Sequence, residues 1–147
     1  MKALYGVLLV GLTLLACRQG AGRAAGAVVT TVIAIPRSDW QQLVEDLDAS
    51  FERTVLDVED GDRLVGIRYF CKADLDTKEC VGGSPGGQLE LVNGDRIVGV
   101  NGTRVSGPSA NAKNFLHQQM LRSSKTCTLS LDIEAPDEGR TVAAHCG

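Results

Sequence analysis

The stretch that most limits what this chain can fold into is residues 89–105, Leu-Glu-Leu-Val-Asn-Gly-Asp-Arg-Ile-Val-Gly-Val-Asn-Gly-Thr-Arg-Val. It alternates turn, strand, turn, strand. Asn93-Gly94-Asp95 marks a tight turn, because glycine accepts positive φ and Asn and Asp side chains bond to nearby backbone. Ile97, Val98 and Val100 supply an apolar strand, and Asn101-Gly102 is a strong short-range hairpin dipeptide. A chain with two such turns so close together is committed to β structure here.

The flanks extend the pattern. Val81-Gly82-Gly83-Ser84-Pro85-Gly86-Gly87 precedes it, a helix candidate over 109–121 follows, and a strand is expected over 126–133. The order of Gly-Ser-Pro, Leu-x-x-Gly-Asp-x-Ile, Val-Asn-Gly, helix and strand resembles a PDZ domain over residues 53–134, most specifically over 84–105. The resemblance implies an α+β, mainly β fold. It would be a partly open antiparallel β-barrel or sandwich, with a peptide groove between a strand and a helix. It also implies binding of short peptide segments, C-terminal or internal, as an added strand.

On that resemblance the groove falls between the strand over 64–71 and the helix over 109–121. Its residues would be Arg63, Leu64, Val65, Gly66, Ile67 and Arg68 on one side and Ser109, Ala112, Lys113 and Leu116 on the other. Leu64-Val65-Gly66-Ile67 stands where the family places a loop of backbone amides that receives a terminal carboxylate. The sequence departs from the family there: Leu64 replaces the first glycine. Glu59, Asp60 and Asp62 crowd the approach, and such carboxylates repel another by roughly 1 kcal/mol each at about 4 Å in water. Arg63 offsets part of this. A basic or internal ligand is one consequence, low affinity for C-termini another. The alternative to a receptor is an assembly module, its edge filled by another subunit or by its own strand over 27–35.

Residues 1–17 read as a signal peptide, with Lys2 ahead of an apolar run too short for a comfortable membrane span. The run ends Leu14-Leu15-Ala16-Cys17, which resembles a bacterial lipobox, so Cys17 is a candidate lipidation site and the membrane surface a candidate partner. An ordinary signal peptide cut near residues 21–25 is the competing reading. Either way the chain is exported: secreted, periplasmic or lipid-anchored.

Setting Cys17 aside leaves Cys71, Cys80, Cys127 and Cys146 of the five cysteines, an even set suited to disulfides in an oxidising compartment. Four cysteines allow three pairings. The hairpin-like loop over 72–79 favours Cys71 with Cys80, which leaves Cys127 with Cys146. No Cys-x-x-Cys occurs and His117 and His145 lack ligand spacing, so neither metal nor cofactor is expected.

Between leader and domain, residues 18–37 read as a Gly/Ala-rich linker with a possible edge strand over 27–35. Residues 38–52 read as a helical extension: Ser38 and Gln41 form a capping-box pair, and Trp40, Leu43, Val44, Leu47 and Phe51 recur on one face. Ser123-Ser124-Lys125 reads as a turn, with Leu129, Leu131 and Ile133 facing the core on the strand after it and Cys127 on the same face. Residues 135–147 form a tail with one more strand over 140–144, which would replace a family strand if the order is permuted. Asn101-Gly102-Thr103 also spells a glycosylation sequon.

A formal net charge of −3, with no basic cluster interleaved with aromatics, argues against nucleic acid. Catalytic signatures are missing: Ser84 is not in Gly-x-Ser-x-Gly, the histidines stand far apart, and the Gly-rich 82–87 lacks the Lys-Ser/Thr of a phosphate loop. The expectation is a non-catalytic binding module.

Overall fold

The computed structural model describes residues 28–134 and 139–147. The signal peptide, the lipidation candidate Cys17, residues 18–27 of the linker and the loop over 135–138 lie outside the described residues.

Strand β1 (Val28–Ile35) opens the fold, and helix α1 (Arg37–Ser50) follows with a 3-10 turn, Phe51–Arg53. Strands β2 (Val55–Glu59) and β3 (Arg63–Arg68) form a hairpin. Short helix α2 (Pro85–Gln88) precedes β4 (Arg96–Val100) and β5 (Thr103–Arg104). A 3-10 turn, Ser109–Asn111, leads into helix α3 (Ala112–Thr126), and β6 (Thr128–Glu134) and β7 (Gly139–Cys146) close the chain. The main path through the sheet is β1-β7-β6-β4-β3-β2, with β5 paired to β4. The fold is α+β and mainly β, in the order expected over residues 84–134.

The strand expected over 27–35 is present, but its partner is a correction. β1 pairs in parallel with β7, Val28 opposite Gly139 and Ile35 opposite Cys146, so the sheet is mixed rather than antiparallel throughout. This N-terminal strand lies at the opposite margin from β2 and does not fill a slot beside α3, which removes the self-occluded form of the assembly reading. The tail strand β7 joins the sheet between β6 and β1.

The periodicity of α1 is realised in burial: Trp40, Leu43, Val44, Leu47 and Phe51 all belong to the core with Leu116, Met120, Ile67 and Leu131. Burying one such side chain contributes roughly 1.5–3 kcal/mol. The capping box does not form. Pro36, with φ −54°, already sets the chain at the N-cap, so the helix starts at Arg37 and places Ser38 inside its first turn, with no side-chain cap.

Helix α3 runs past the expected turn at Ser123-Ser124-Lys125. Ser123 is fully buried, its carbonyl accepts the Trp40 indole N–H at 3.0 Å and its hydroxyl accepts from Asn101 Nδ2 at 3.0 Å. Those two bonds satisfy a polar residue inside the core, and the helix continues through it. Cys127 is correspondingly not on a strand. It caps α3 in the left-handed region, φ 59°.

Asn101 and Gly102 make the expected turn, both with positive φ. The Asn101 amide nitrogen faces Gln119 O, Gln119 Oε1 and Ser123 Oγ at 3.0–3.3 Å, and its Oδ1 accepts the Ser130 N–H. The nitrogen that glycosylation requires is therefore committed to the fold.

The expected disulfides form, Cys71–Cys80 and Cys127–Cys146, with Cα atoms 5.6 and 5.2 Å apart. Ser84 caps α2 by accepting the Gly87 N–H. A side chain on Gly87 would collide with the Val81 carbonyl, and one on Gly86 would approach Cys80 Sγ within 2.8 Å. That close packing explains glycine at both positions.

Candidate functional site

The residues expected to form the groove are not brought together as one open site. Arg63, Leu64, Val65, Gly66, Ile67 and Arg68 form β3, which is an interior strand. It pairs with β2 along one side and on the other with β4 through Ile67 and Arg68. Farther up, Leu64 N–H donates to Gly107 O at 2.7 Å and Arg63 bridges to Pro108. The edge expected over 64–71 is thus closed, because the strand before it, β2, takes the margin of the sheet.

Gly66 has a different job from the expected amide loop. Asp57 on β2 lies opposite Gly66, and a Cβ on Gly66 would sit 2.6 Å from Arg96 Nε. The missing side chain lets Arg96 reach across β3 to Asp57, Nε to Oδ2 2.9 Å, while its Nη1 pairs with Glu134 on β6. Arg68 adds a second contact to Asp57 at 3.1 Å. The Arg96–Asp57 contact is an ion pair without hydrogen-bond alignment, since Nε is buried and has no aligned acceptor. These charges tie β2, β3, β4 and β6 together across one face.

On the helical side, Ala112 and Leu116 are buried in the core and Ser109 is half-buried in the 3-10 turn ahead of α3. Lys113 is exposed and pairs with Glu52 at 2.8 Å. His117 Nδ1 lies 2.8 Å from Asp48 Oδ2, and Ser124 Oγ donates to Gln41 Oε1 at 2.6 Å. Read in order, these contacts lay α1 antiparallel along α3, from Gln41 beside Ser124 to Glu52 beside Lys113.

What remains open is β2 itself. Its inner edge is bonded to β3, and among the described residues no strand pairs with its outer edge. Val55 and Val58 are 52% and 44% exposed, an unusual amount of apolar surface on a terminal strand. Leu56 and Val58 fall on the same side of β2 by alternation, and Leu56 packs against the core. The β2–β3 hairpin turns through Asp60 and Gly61, both with positive φ.

The 3-10 turn before α3 and the first turn of α3 reach the two ends of β2. Ser109 N–H donates to Asp62 O at 2.8 Å just beyond β2, and Lys113 holds Glu52 just ahead of it. Beside Lys113 a cavity of about 420 Å³ lies between α1 and α3, with Asp48, Phe51, Glu52, Leu116 and His117 among its walls. A larger cleft, about 720 Å³, runs between the end of α1 and the Cys71–Cys80 loop, past Arg53, Phe70 and Pro85. Arg63 bonds Glu59 at 2.8 Å and Asp60 at 3.2 Å, the offset expected of it. The signal missed in the sequence was register: β2, the strand just before the expected groove strand, carries the exposed valines and the outer position.

The architecture is that of a PDZ-like α+β domain: a Ser-Pro-capped short helix, a strand, an Asn-Gly hairpin, a long helix and a closing strand. No protein-family model and no curated protein matches the chain by sequence. Among solved structures it is similar to the PDZ domain of EpsC from Vibrio cholerae, at 21% identity and a TM-score of 0.43 over 71% of this chain and 98% of that one. A shorter form of the same EpsC domain gives 22% identity and a TM-score of 0.41, covering 65% of this chain and 95% of its own. The site rests on its own residues. Among the described residues no helix is long and apolar enough to cross a membrane.

Proposed function

We propose that this chain is a non-catalytic peptide- or protein-binding module that acts outside the cytoplasm and takes its ligand by strand addition along β2. The carrying observation is the outer edge of β2, to which no strand pairs among the described residues, with Val55 and Val58 exposed and Lys113 of α3 bonded to Glu52 just ahead of it. An added strand gains backbone hydrogen bonds from the edge, and side chains at alternate positions meet the apolar flank. The groove residues on this side are then Ser109, from the 3-10 turn, and Lys113 of α3, while Ala112 and Leu116 act from beneath as core. Arg63 and Arg68 serve by holding β2 in place, and Leu64, Val65, Gly66 and Ile67 form the strand behind it.

The two disulfides support action in an oxidising compartment, the setting that the signal-like N-terminus calls for. Cleavage of that N-terminus and a lipid on Cys17 belong to the same proposal, and the intact mass of the native protein reads both.

The test of binding is a random peptide library screened against the full chain, followed by amide hydrogen exchange on the complex. Enriched peptides are expected to slow exchange within Val55–Glu59 at least about tenfold, the mark of newly bonded amides. Absence of enrichment, or protection confined to other strands, would refute strand addition at β2.

A further inference from the structure

The two ends of the β2 edge differ from what a terminal carboxylate needs. A carboxylate site built from backbone requires several amides that point outward and are otherwise unbonded. Ahead of β2 the chain makes a helical turn instead. The Phe51 N–H donates back into the last turn of α1, the Thr54 N–H donates to Phe51 O at 3.3 Å, and Glu52 and Arg53 lie within that turn. The same place is the C-terminus of α1, where aligned peptide dipoles leave partial negative charge, and α1 has no basic residue in its last turn.

Side chains reinforce the sign. Glu45, Asp48 and Glu52 line the cavity at this end. Lys113 is taken up by Glu52 and His117 by Asp48, whereas Glu45 accepts only from Gln41 among the described residues. At the hairpin end Glu59 and Asp60 share the single cation Arg63, and Asp62 is exposed and in no ion pair among the described residues. Arg53, in the turn ahead of β2, is exposed and in no ion pair among the described residues, and it offsets part of this charge; carboxylates still outnumber cations at both ends of the five-residue edge.

We infer that the ligand of β2 is an internal segment, with an apolar β-forming centre and lysine or arginine on both flanks, and not a free C-terminus. This rests on the strand-addition reading of β2. The centre matches Val55, Leu56 and Val58. The flanking cations meet the α1 end and the hairpin carboxylates. A chain that continues past the α1 end brings an amide there, where a terminus would bring a second negative charge.

The experiment uses the full chain and three immobilised peptide sets with the same randomised five-residue cores. The first is capped at both ends and flanked by lysine pairs, the second is capped and flanked by glutamate pairs, and the third keeps the N-terminal lysine pair but ends at the core in a free carboxylate. The first set is expected to retain the chain. Matched members of the other two should bind at least tenfold more weakly, about 1.4 kcal/mol. Raising salt from about 0.05 to 0.5 M should erode the difference, because surface charge is screened over a few ångströms at the higher value. The pair Glu45→Lys and Asp62→Lys, both positions outside ion pairs, should narrow the preference for lysine over glutamate flanks.

Equal or tighter binding of the free-carboxylate set, or indifference to flank charge, would overturn the inference and leave strand addition standing. Binding that survives N-methylation of alternate core amides, or no binding by any set, would overturn strand addition and this inference with it.

Discussion

Single residues in this chain take their roles from partners far away in sequence. Gly66 is needed because the Arg96 guanidinium passes over it to Asp57. Nothing local announces that role, which is why the same glycine reads from sequence as part of an amide loop. Asp74 is the opposite case, a side chain whose task is local. Its Oδ1 accepts the N–H groups of Thr77 at 2.9 Å and Asp76 at 2.8 Å, and these bonds, that from Thr77 foremost, hold its carboxyl below the ordinary value of 3.8. A carboxyl depressed on folding favours the fold above its unfolded titration range and loses that contribution as pH falls through the lowered folded value. Carboxyl chemical shifts followed by NMR should therefore place Asp74 below an ordinary aspartate, and Asp74→Asn should remove its contribution to the acid response of loop 72–79.

At the scale of elements, periodicity carried α1 well: five apolar positions at helical spacing all reached the core. The end of α3 was illegible for a reason that is physical. A Ser-Ser-Lys run is polar, and only the approach of Trp40 and Asn101 makes Ser123 a good interior residue. Asn101 is the fastener between the β4–β5 turn, α3 and β6. Asn101→Ala would leave the Ser130 N–H without its acceptor and Ser123 Oγ without its donor, a loss of roughly 2–3 kcal/mol for unpaired buried groups. Urea unfolding should show the midpoint falling with an unchanged slope. In a host that glycosylates exported proteins, the folded chain should carry no glycan at Asn101, as its mass will report.

Over the whole molecule, composition and cysteine count gave the class of chain and the hairpin-like loop over 72–79 favoured the pairing that the disulfides take, but neither gave the strand order. Sheet order depends on which edges meet, and two β-branched strands, β1 and β2, compete for the margins on equal local terms. The Cys127–Cys146 bond settles one side: it joins the cap of α3 to the end of β7, where Cys146 N–H donates to Cys127 O and Gly147 N–H to Ile35 O, both near 3.0 Å. Replacing Cys127 and Cys146 together by serine should cost about 3 kcal/mol for a closed loop of this length. Its thermal midpoint should fall, and exchange should quicken first in β1 and β7 while β2 and β3 keep their rates.

The placement of β1 has a consequence for how the molecule presents itself. Val28, where the described chain begins, belongs to one margin of the sheet and β2 to the other, with five strand spacings between them, about 24 Å measured along the sheet. Under the proposed lipid attachment at Cys17, the pull would reach the domain at Val28, and the margin proposed to take a ligand would stand on the side of the sheet away from it.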